Sequence, residues 1–331
     1  MTQKAVNPIT LGVDLGGTKI KAALVDATGH ILAIHKCPTH SEKGVEGVTA
    51  NVLTCIDGCL KKVSQEARAV GIGIAGQVDL KGIVRYAPNL KWQNVSLKEK
   101  LEEKLGKPVI VTNDVRAATW GEWRYGSGKR LQDLVVLFVG TGIGGGVISG
   151  GNMMIGCSNT GGELGHITIV SGGRKCRCPN FGCLEAYAGG WAIAERAQEA
   201  VREDSKAGQH MISLVGDVER VTAATVGEAY RNGDQLARQL VEETGRYLAA
   251  GVVSIINAFN PCLLVLGGGV IEGLSELIHT VEKLARNRAL KSAIERLTVV
   301  KAALGGSAGV VGAAALAQHA CMHENDYEED K

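Results

Sequence analysis

The chain has no apolar run of about 18 residues, the length a membrane-crossing helix needs. Its first residues, Met1 to Pro8, lack the apolar core of a signal peptide. It has no charge excess of either sign: 36 basic against 34 acidic side chains leave a formal net charge of +2. That gives no electrostatic footprint for nucleic acid or for an anionic membrane surface. A disulfide framework is missing too. Nine cysteines is an odd number, and Cys37, Cys55, Cys59, Cys157, Cys262 and Cys321 are scattered, most of them in apolar surroundings. That pattern reads as buried thiols in a reducing cytoplasm. These absences leave a cytoplasmic globular chain of 331 residues, 45% hydrophobic and 21% charged, with length for two domains.

What the chain has is glycine, and one dense set of metal-binding side chains. Between Gly162 and Glu185 stand His166, Cys176, Cys178 and Cys183, flanked by Glu163 and Glu185. Cys-x-Cys followed by a further Cys places three sulfurs in one tight loop, and a strand-like run from His166 to Val170 brings in the imidazole. This is the donor set of a closed tetrahedral zinc site. The alternative is three free or disulfide-bonded cysteines beside an unrelated histidine, but four N/S donors in so short a span favour the metal. Glu163 and Glu185 cannot be ligands of a site already filled, so their carboxylates are left for another task.

The 45 glycines exceed average usage and gather in loops, where backbone must approach a ligand closely or take positive φ. Three of those loops follow apolar strands. Ile9 to Val13 runs into Asp14-Leu15-Gly16-Gly17-Thr18-Lys19 and then straight into Ile20 to Val25. Neither a Walker loop nor a Rossmann loop fits, because both open a helix. Here the tip of a hairpin would present backbone N–H groups, the Thr18 hydroxyl and the Lys19 ammonium to an anion; a plain glycine hairpin turn is the alternative. Leu134 to Val139 leads into Gly140-Thr141-Gly142-Ile143-Gly144-Gly145-Gly146-Val147. The spacing Gly140-x-Gly142-x-x-Gly145 matches the dinucleotide fingerprint literally. Val147 to Asn152, however, reads as strand and turn where a helix should follow, which argues against a dinucleotide oxidoreductase and for a second phosphate cradle. Cys262 to Leu266 leads into Gly267-Gly268-Gly269, which enters a helix over 272–290. Such a turn suits a nucleotide's ribose, adenine or α-phosphate, unless it is only a tight strand-to-helix turn.

Periodicity supplies the rest. Helical spacing covers 44–69, a buried strand 71–75, and a polar loop with two aromatics 86–94, suited to a flat-faced polar ligand such as a sugar. Ser96 with Glu99 reads as a capping box. The strand over 108–112 ends in Asn113-Asp114, followed by a helix over 115–125. Asp114 thus sits where open α/β sheets place ligands and where a helix dipole favours a carboxylate; on position alone, capping by Asn113 or Asp114 is equally open. Residues 184–200 read as helix, 202–223 as a surface excursion with little functional content, Thr225 with Glu228 as a second capping box, and 234–259 as a long helix. A strand over 297–304 and a helix over 307–320 precede an acidic tail. Each half starts with glycine-linked antiparallel strands and continues into strand–helix alternation. This predicts two similar α/β lobes with a cleft between them, as a nucleotide phosphotransferase needs to exclude water. The expected division is 1–114 plus about 307–321, then 115–306, with 322–331 as tail.

Taken together, L-G-V-D-L-G-G-T-K, V-T-N-D, V-G-T-G-I-G-G-G-V, G-G-E-L-G-H, C-x-C-x-x-x-x-C-L-E and L-V-L-G-G-G appear in the order seen in ROK sugar kinases of the actin-like (ribonuclease H-like) ATPase superfamily. The chain resembles that family nearly end to end, and A-P-N-L-K-W is most like its bacterial glucokinases. The resemblance implies an ATP-dependent hexose kinase acting at the 6-hydroxyl, with Asp114 as the base that accepts the sugar hydroxyl proton. It implies Asn113, Asp114, Glu163, His166 and Glu185 as sugar ligands, with Asn89 added from its loop. His166 would serve zinc with one ring nitrogen and sugar with the other. It further implies Asp14 near Mg²⁺, Gly16 to Lys19 and Thr141 to Gly145 as phosphate loops, Gly267 to Gly269 at the adenosine, structural zinc on His166, Cys176, Cys178 and Cys183, and a homodimer. Pro179 stands where the family's zinc loop usually has glycine, with the ligand spacing unchanged. The family also holds repressors with an N-terminal helix-turn-helix domain; the first loop strand, starting at Ile9, leaves no room for one. Glucose is the expected sugar, with N-acetylmannosamine, N-acetylglucosamine, fructose or mannose as alternatives and a non-catalytic sugar sensor as a further one. Zinc loss is expected to loosen sugar binding before nucleotide binding, since the phosphate loops lie elsewhere in the chain.

Overall fold

The computed structural model describes residues 8–322. The acidic tail beyond Met322 and the first seven residues lie outside the described residues. The chain divides into two compact units: Met1–Arg130 with Ile155–Gly161 and Ala303–Lys331, and Leu131–Met154 with Gly162–Ala302. The division expected at residue 114 falls instead after Arg130, and the first unit also takes in the 155–161 segment. Among the described residues no helix is long and apolar enough to cross a membrane.

The first unit holds a five-stranded sheet built from β1 (Thr10–Leu15), β2 (Lys19–Val25), β3 (Ile31–Pro38), β4 (Val70–Ile74) and β8 (Val109–Asn113). The spatial order is β3-β2-β1-β4-β8, with β1, β2 and β3 antiparallel and β1, β4 and β8 parallel. β5 (Gln77–Val78), β6 (Val84–Ala87) and β7 (Trp92–Val95) form a separate three-stranded sheet. This corrects the loop expected over 86–94: only Pro88–Leu90 turns there, as a short 3₁₀ segment. Buried Val84, Ala87, Leu90, Trp92 and Val95 tie the segment to the core of this unit. The helix expected over 44–69 stops at Leu60. Ser96 stands at the N-cap of the Leu97–Leu105 helix without a side-chain cap bond, so the capping box expected with Glu99 is not formed.

Two helices cover one face of this sheet, Asp114–Arg124 and the C-terminal Ala308–Met322. The second is made of small residues, and the strands beneath it answer with glycine. A Cβ on Gly71 of β4 would fall 1.8 Å from the Ala313 carbonyl oxygen. Backbone therefore lies directly on backbone, and a methyl can enter only if helix and sheet separate. We expect Gly71→Ala to cost about 3 kcal/mol, read as a lower urea midpoint at unchanged slope; an unchanged midpoint would show that the helix steps back freely. Fully buried Glu122, on the Asp114–Arg124 helix, accepts from the backbone N–H groups of Ser127 (3.0 Å), Ala303 (3.1 Å) and Leu304 (2.7 Å). It ties down two segments far apart in the chain, and buried donors of that kind must be satisfied.

The second unit repeats the sheet. β9 (Leu134–Val139), β10 (Ile143–Ser149), β11 (Asn152–Met153), β12 (Leu263–Gly267) and β13 (Thr298–Lys301) lie in the order β11-β10-β9-β12-β13. Again three strands are antiparallel and two are added in parallel. The echo read from the glycine hairpins is thus a shared topology. The long helix Gln235–Phe259 is capped by Asp234 and buries one face in the core of this unit. The helix read as continuous over 184–200 is two, Glu185–Ala188 and Gly190–Glu203, broken at Gly189. The second capping box is formed by Thr222 with Thr225, opening Ala223–Arg231, rather than by Thr225 with Glu228. The 202–223 stretch carries a helix of its own, Gln209–Val215.

Candidate active site

In the first unit, Asp14 lies near the end of β1, paired in register with Lys21 of β2. Burial pushes its carboxyl up, with Lys21 opposing. A Cβ on Gly309, in the first turn of the C-terminal helix, would lie 3.3 Å from that carboxylate, so Asp14 faces a helix N-terminus. Lys21 Nζ donates to the Gly306 carbonyl. The β1–β2 turn is closed by Gly16 N–H to the Lys19 carbonyl (3.0 Å), while Thr39 bonds the carbonyls of Gly16 (Oγ1, 2.7 Å) and Thr18 (N–H, 2.9 Å). The side chains of Thr18 and Lys19 are exposed. Gly17 makes room for Asn89: a Cβ there would sit 2.8 Å from the Asn89 Cβ. The structure therefore brings Asn89 to the first glycine loop.

Asn113 is the N-cap of the Asp114–Arg124 helix. Its Oδ1 accepts from the N–H groups of Val115 (2.9 Å) and Arg116 (3.0 Å), and its Nδ2 donates to the Gly76 carbonyl (3.1 Å). The question left open by position is answered in part: Asn113 does the capping, and Asp114 is the first helical residue. Asp114 Oδ1 accepts from Val115 N–H at 2.9 Å. Two residues on, buried Arg116 holds the Asn159 carbonyl and side chain (2.9 and 2.7 Å) and the Gly161 carbonyl (3.2 Å). It thereby anchors the segment that leads to Glu163, a task no sequence pattern announced.

In the second unit, His166 closes a 3₁₀ turn, Leu164–His166, packed against β10. The strand expected over 166–170 is reduced to an isolated bridge, Thr168 with Cys183. The turn suffices to bring the four donors together: His166, Cys176, Cys178 and Cys183 have ligand atoms all within 4.8 Å of one another. Two of the spacings are diagnostic. Tetrahedral bonds of the usual Zn–S and Zn–N lengths separate two sulfurs by about 3.8 Å and a sulfur from a nitrogen by about 3.6 Å. Cys178 Sγ lies 3.7 Å from Cys183 Sγ, and His166 Nδ1 lies 3.6 Å from Cys176 Sγ. With Nδ1 turned to the sulfurs, Nε2 is the ring nitrogen that remains for another partner. Burial pushes the Cys176 thiol up to about 12 and raises Cys183. Burial also raises Cys178, but the Asn180 N–H and the other two thiols outweigh it and hold this thiol below its ordinary range. The residues fit a zinc ion, which would let all three sulfurs ionise.

Glu163 is exposed beside this cluster. Glu185 is not idle: its Oε2 accepts from Ile143 N–H at 2.8 Å and its Oε1 from Trp191 Nε1 at 3.1 Å. Gly142 permits the first of these bonds, since a Cβ there would lie 2.4 Å from Oε2. Each carboxylate oxygen keeps capacity for one more donor. The second glycine loop is short, Gly140 to Gly142, and its carbonyls at Gly140 and Thr141 accept from Gly190 and Trp191 N–H, both at 2.9 Å. Gly144 and Gly145 lie inside β10, where bare Gly145 lets Leu164 pack. At the third turn, Gly268 has φ +91° and Gly269 starts a short helix; Gly267 ends β12.

Gly140, Thr141 and Gly269 line one cavity of about 730 Å³, together with Trp191, Thr222 and Arg231 among others. This is the size of a site for a nucleotide-like ligand. Thr222 and Ala223 line it as well, which corrects the reading of 202–223 as a stretch of little functional content. Arg231 also went unsuspected. Its Nη1 bonds the Gly273 carbonyl at 2.9 Å, so it stands fixed at the rim, but a lone arginine on an amphipathic helix carries no sequence signal.

The ROK family profile matches residues 10–320. The chain belongs to the ROK family. Among its relatives, the ROK chain is 35% identical over 314 residues to the glucokinase of Streptomyces coelicolor, covering 94% of this chain and 98% of that one. The solved structure of a ROK family glucokinase from Streptomyces griseus, in complex with glucose and AMPPNP, is 36% identical with a TM-score of 0.81, covering 94% and 99%. An N-acetylglucosamine repressor of Escherichia coli O6:H1 is 29% identical over 316 residues, covering 95% of this chain and 76% of that one. The two-sheet topology described above is thus the ROK fold, and the chain is a sugar-kinase homologue over nearly its whole length.

Proposed function

We propose that the protein is an ATP-dependent hexose kinase that converts glucose to glucose 6-phosphate. One observation carries this reading. Glu185, two residues after Cys183, accepts from Ile143 N–H next to the Gly140–Gly142 loop and from Trp191 Nε1, while Gly140, Thr141 and Trp191 line the 730 Å³ cavity. A set of groups suited to sugar hydroxyls and a backbone suited to phosphate are therefore contiguous. The likeness to glucokinases, one of them bound to glucose and an ATP analogue, supports it.

In the proposed reaction the nucleotide's base and ribose occupy the cavity near Gly269 and Arg231, with its phosphates toward the Gly140–Gly142 loop; the Gly16–Lys19 loop of the first unit is proposed separately as a phosphate loop. Glu163, His166 Nε2, Glu185, Asn113 and Asn89 take the sugar hydroxyls and orient the 6-hydroxyl. Asp114 accepts that hydroxyl's proton as its oxygen attacks the γ-phosphorus, and ADP leaves. Positioning and charge neutralisation do most of the work in phosphoryl transfer, so a single carboxylate suffices. Asp14 would hold the Mg²⁺ of the nucleotide, which neutralises phosphate charge. His166, Cys176, Cys178 and Cys183 would hold zinc as a structural ion: with four protein donors it has no open position for chemistry.

Sugar choice is tested by a coupled assay across glucose, mannose, fructose, N-acetylglucosamine and N-acetylmannosamine. Glucose should give the highest kcat/KM, by about tenfold or more. A higher value for either acetylated sugar would overturn glucose as the substrate while leaving a ROK kinase.

A further inference from the structure

The site as proposed has a metal loop and a nucleotide cavity, and one side chain touches both. Trp191 is 9% exposed. Its backbone N–H donates to Thr141 of the cavity wall, and Trp191 itself lines the cavity. On the other side, the indole packs in a small cluster with Cys176 and Cys183. The guanidinium of Arg177, the residue between Cys176 and Cys178, stands 4.4 Å from its ring centroid. The ring N–H donates to Glu185, whose second oxygen holds Ile143. A residue fixed through both its ring and its backbone cannot follow a displaced Cys176–Cys178 segment without moving Glu185 and Thr141 too.

We propose that Trp191 is a positioning residue through which the state of the Cys176–Cys183 loop sets the affinity of the neighbouring cavity for nucleotide. The proposal rests on the reading of that cavity as the nucleotide site. Its parts are this chain's own: Arg177 loads one face of the ring, the cysteine loop supports it, the ring N–H holds Glu185, and the backbone N–H of the same residue holds Thr141. A cation stacked on an indole contributes modestly where the cation is exposed, and the Arg177 side chain is 60% exposed. The loop itself therefore has the larger effect.

The test measures binding and fluorescence rather than turnover. A non-hydrolysable ATP analogue is titrated into wild type, Arg177→Ala, Arg177→Lys and Trp191→Phe, each before and after metal is stripped with a chelator. In wild type, stripping should weaken the analogue about tenfold or more and shift tryptophan emission. Trp191 is the one tryptophan of the second unit; Trp92, Trp120 and Trp123 belong to the first. The emission shift should therefore vanish in Trp191→Phe, whose analogue affinity should change less than about twofold on stripping. Arg177→Ala should bind the analogue about two- to fivefold more weakly at unchanged zinc content, and Arg177→Lys, which keeps a cation there, should recover. Analogue affinity unchanged by stripping in wild type, or unchanged in Arg177→Ala, overturns the coupling. No analogue binding by metal-replete wild type overturns the nucleotide reading beneath it.

Discussion

Asp114→Asn should lower kcat by about 10³-fold or more while glucose affinity changes only a few-fold. A positioned general base typically supplies 10²–10⁴, and an amide cannot take the proton. The substitution also separates chemistry from folding. Asp114 Oδ1 accepts from Val115 N–H, a bond an asparagine oxygen makes equally well. The helix start does not depend on it either, because Asn113 supplies the cap through two bonds of its own. The favourable term between carboxylate and helix dipole is small, about 0.3–1 kcal/mol. The unfolding midpoint should therefore barely move. Retained turnover would remove Asp114 as the base; loss of turnover together with gross destabilisation would show a role in folding. Steady-state kinetics paired with urea unfolding decides between them.

Removal of the metal should have the second-largest effect. Cys176 and Cys183 are almost fully buried, and the 168–183 stretch that carries them has two isolated bridges and no regular strand. Its order therefore depends on what holds the four donors together. Binding to such a set is in large part folding free energy. Stripping with a chelator, or Cys183→Ser, should weaken glucose binding about a hundredfold, since His166 and the neighbouring Glu185 lose their support, and outer-shell disruption alone costs 10- to 100-fold. The sequence separation of this loop from the phosphate loops predicts that nucleotide binding survives longer. The contacts of Trp191 with Thr141 and with the cysteine cluster revise that expectation: nucleotide affinity should fall in the same titration. Calorimetric titration with glucose, before and after stripping, measures the main effect. Unchanged glucose affinity in a protein shown to be metal-free would separate the cluster from sugar binding.

Much of the fold was legible because its signals are local. Apolar runs that break at glycine, such as Leu134–Val139 into Gly140, declare strand and turn at once. The repeat of that grammar in the two halves declared the shared topology. The gathering of His166, Cys176, Cys178 and Cys183 into one cluster was legible from spacing, because a Cys-x-Cys pair leaves little freedom. What stayed hidden depends on tertiary contact. Glu122 reads as one more acidic residue on a helix, yet it is fully buried and takes three backbone N–H groups from residues up to 182 positions away. The 202–223 stretch looked polar and empty because Thr222 and Ala223 line the cavity through placement, with no motif. The missed break at Gly189 has a backbone cause: its ψ of 151° stops one helix and caps the next. Glu185 was expected to face sugar alone. Its bonds to Ile143 and Trp191 were invisible, since neither partner is at helical spacing within one regular element.

The proposed reaction transfers a phosphoryl group from ATP to a hexose 6-hydroxyl. The direct measurement is product analysis after incubation with ATP and glucose, with ADP quantified and the sugar product identified by phosphorus and proton NMR. Glucose 6-phosphate and ADP are expected in equal amounts, and neither above background with Asp114→Asn. Glucose bound without either product, or ADP released without a sugar phosphate, would contradict the proposed reaction.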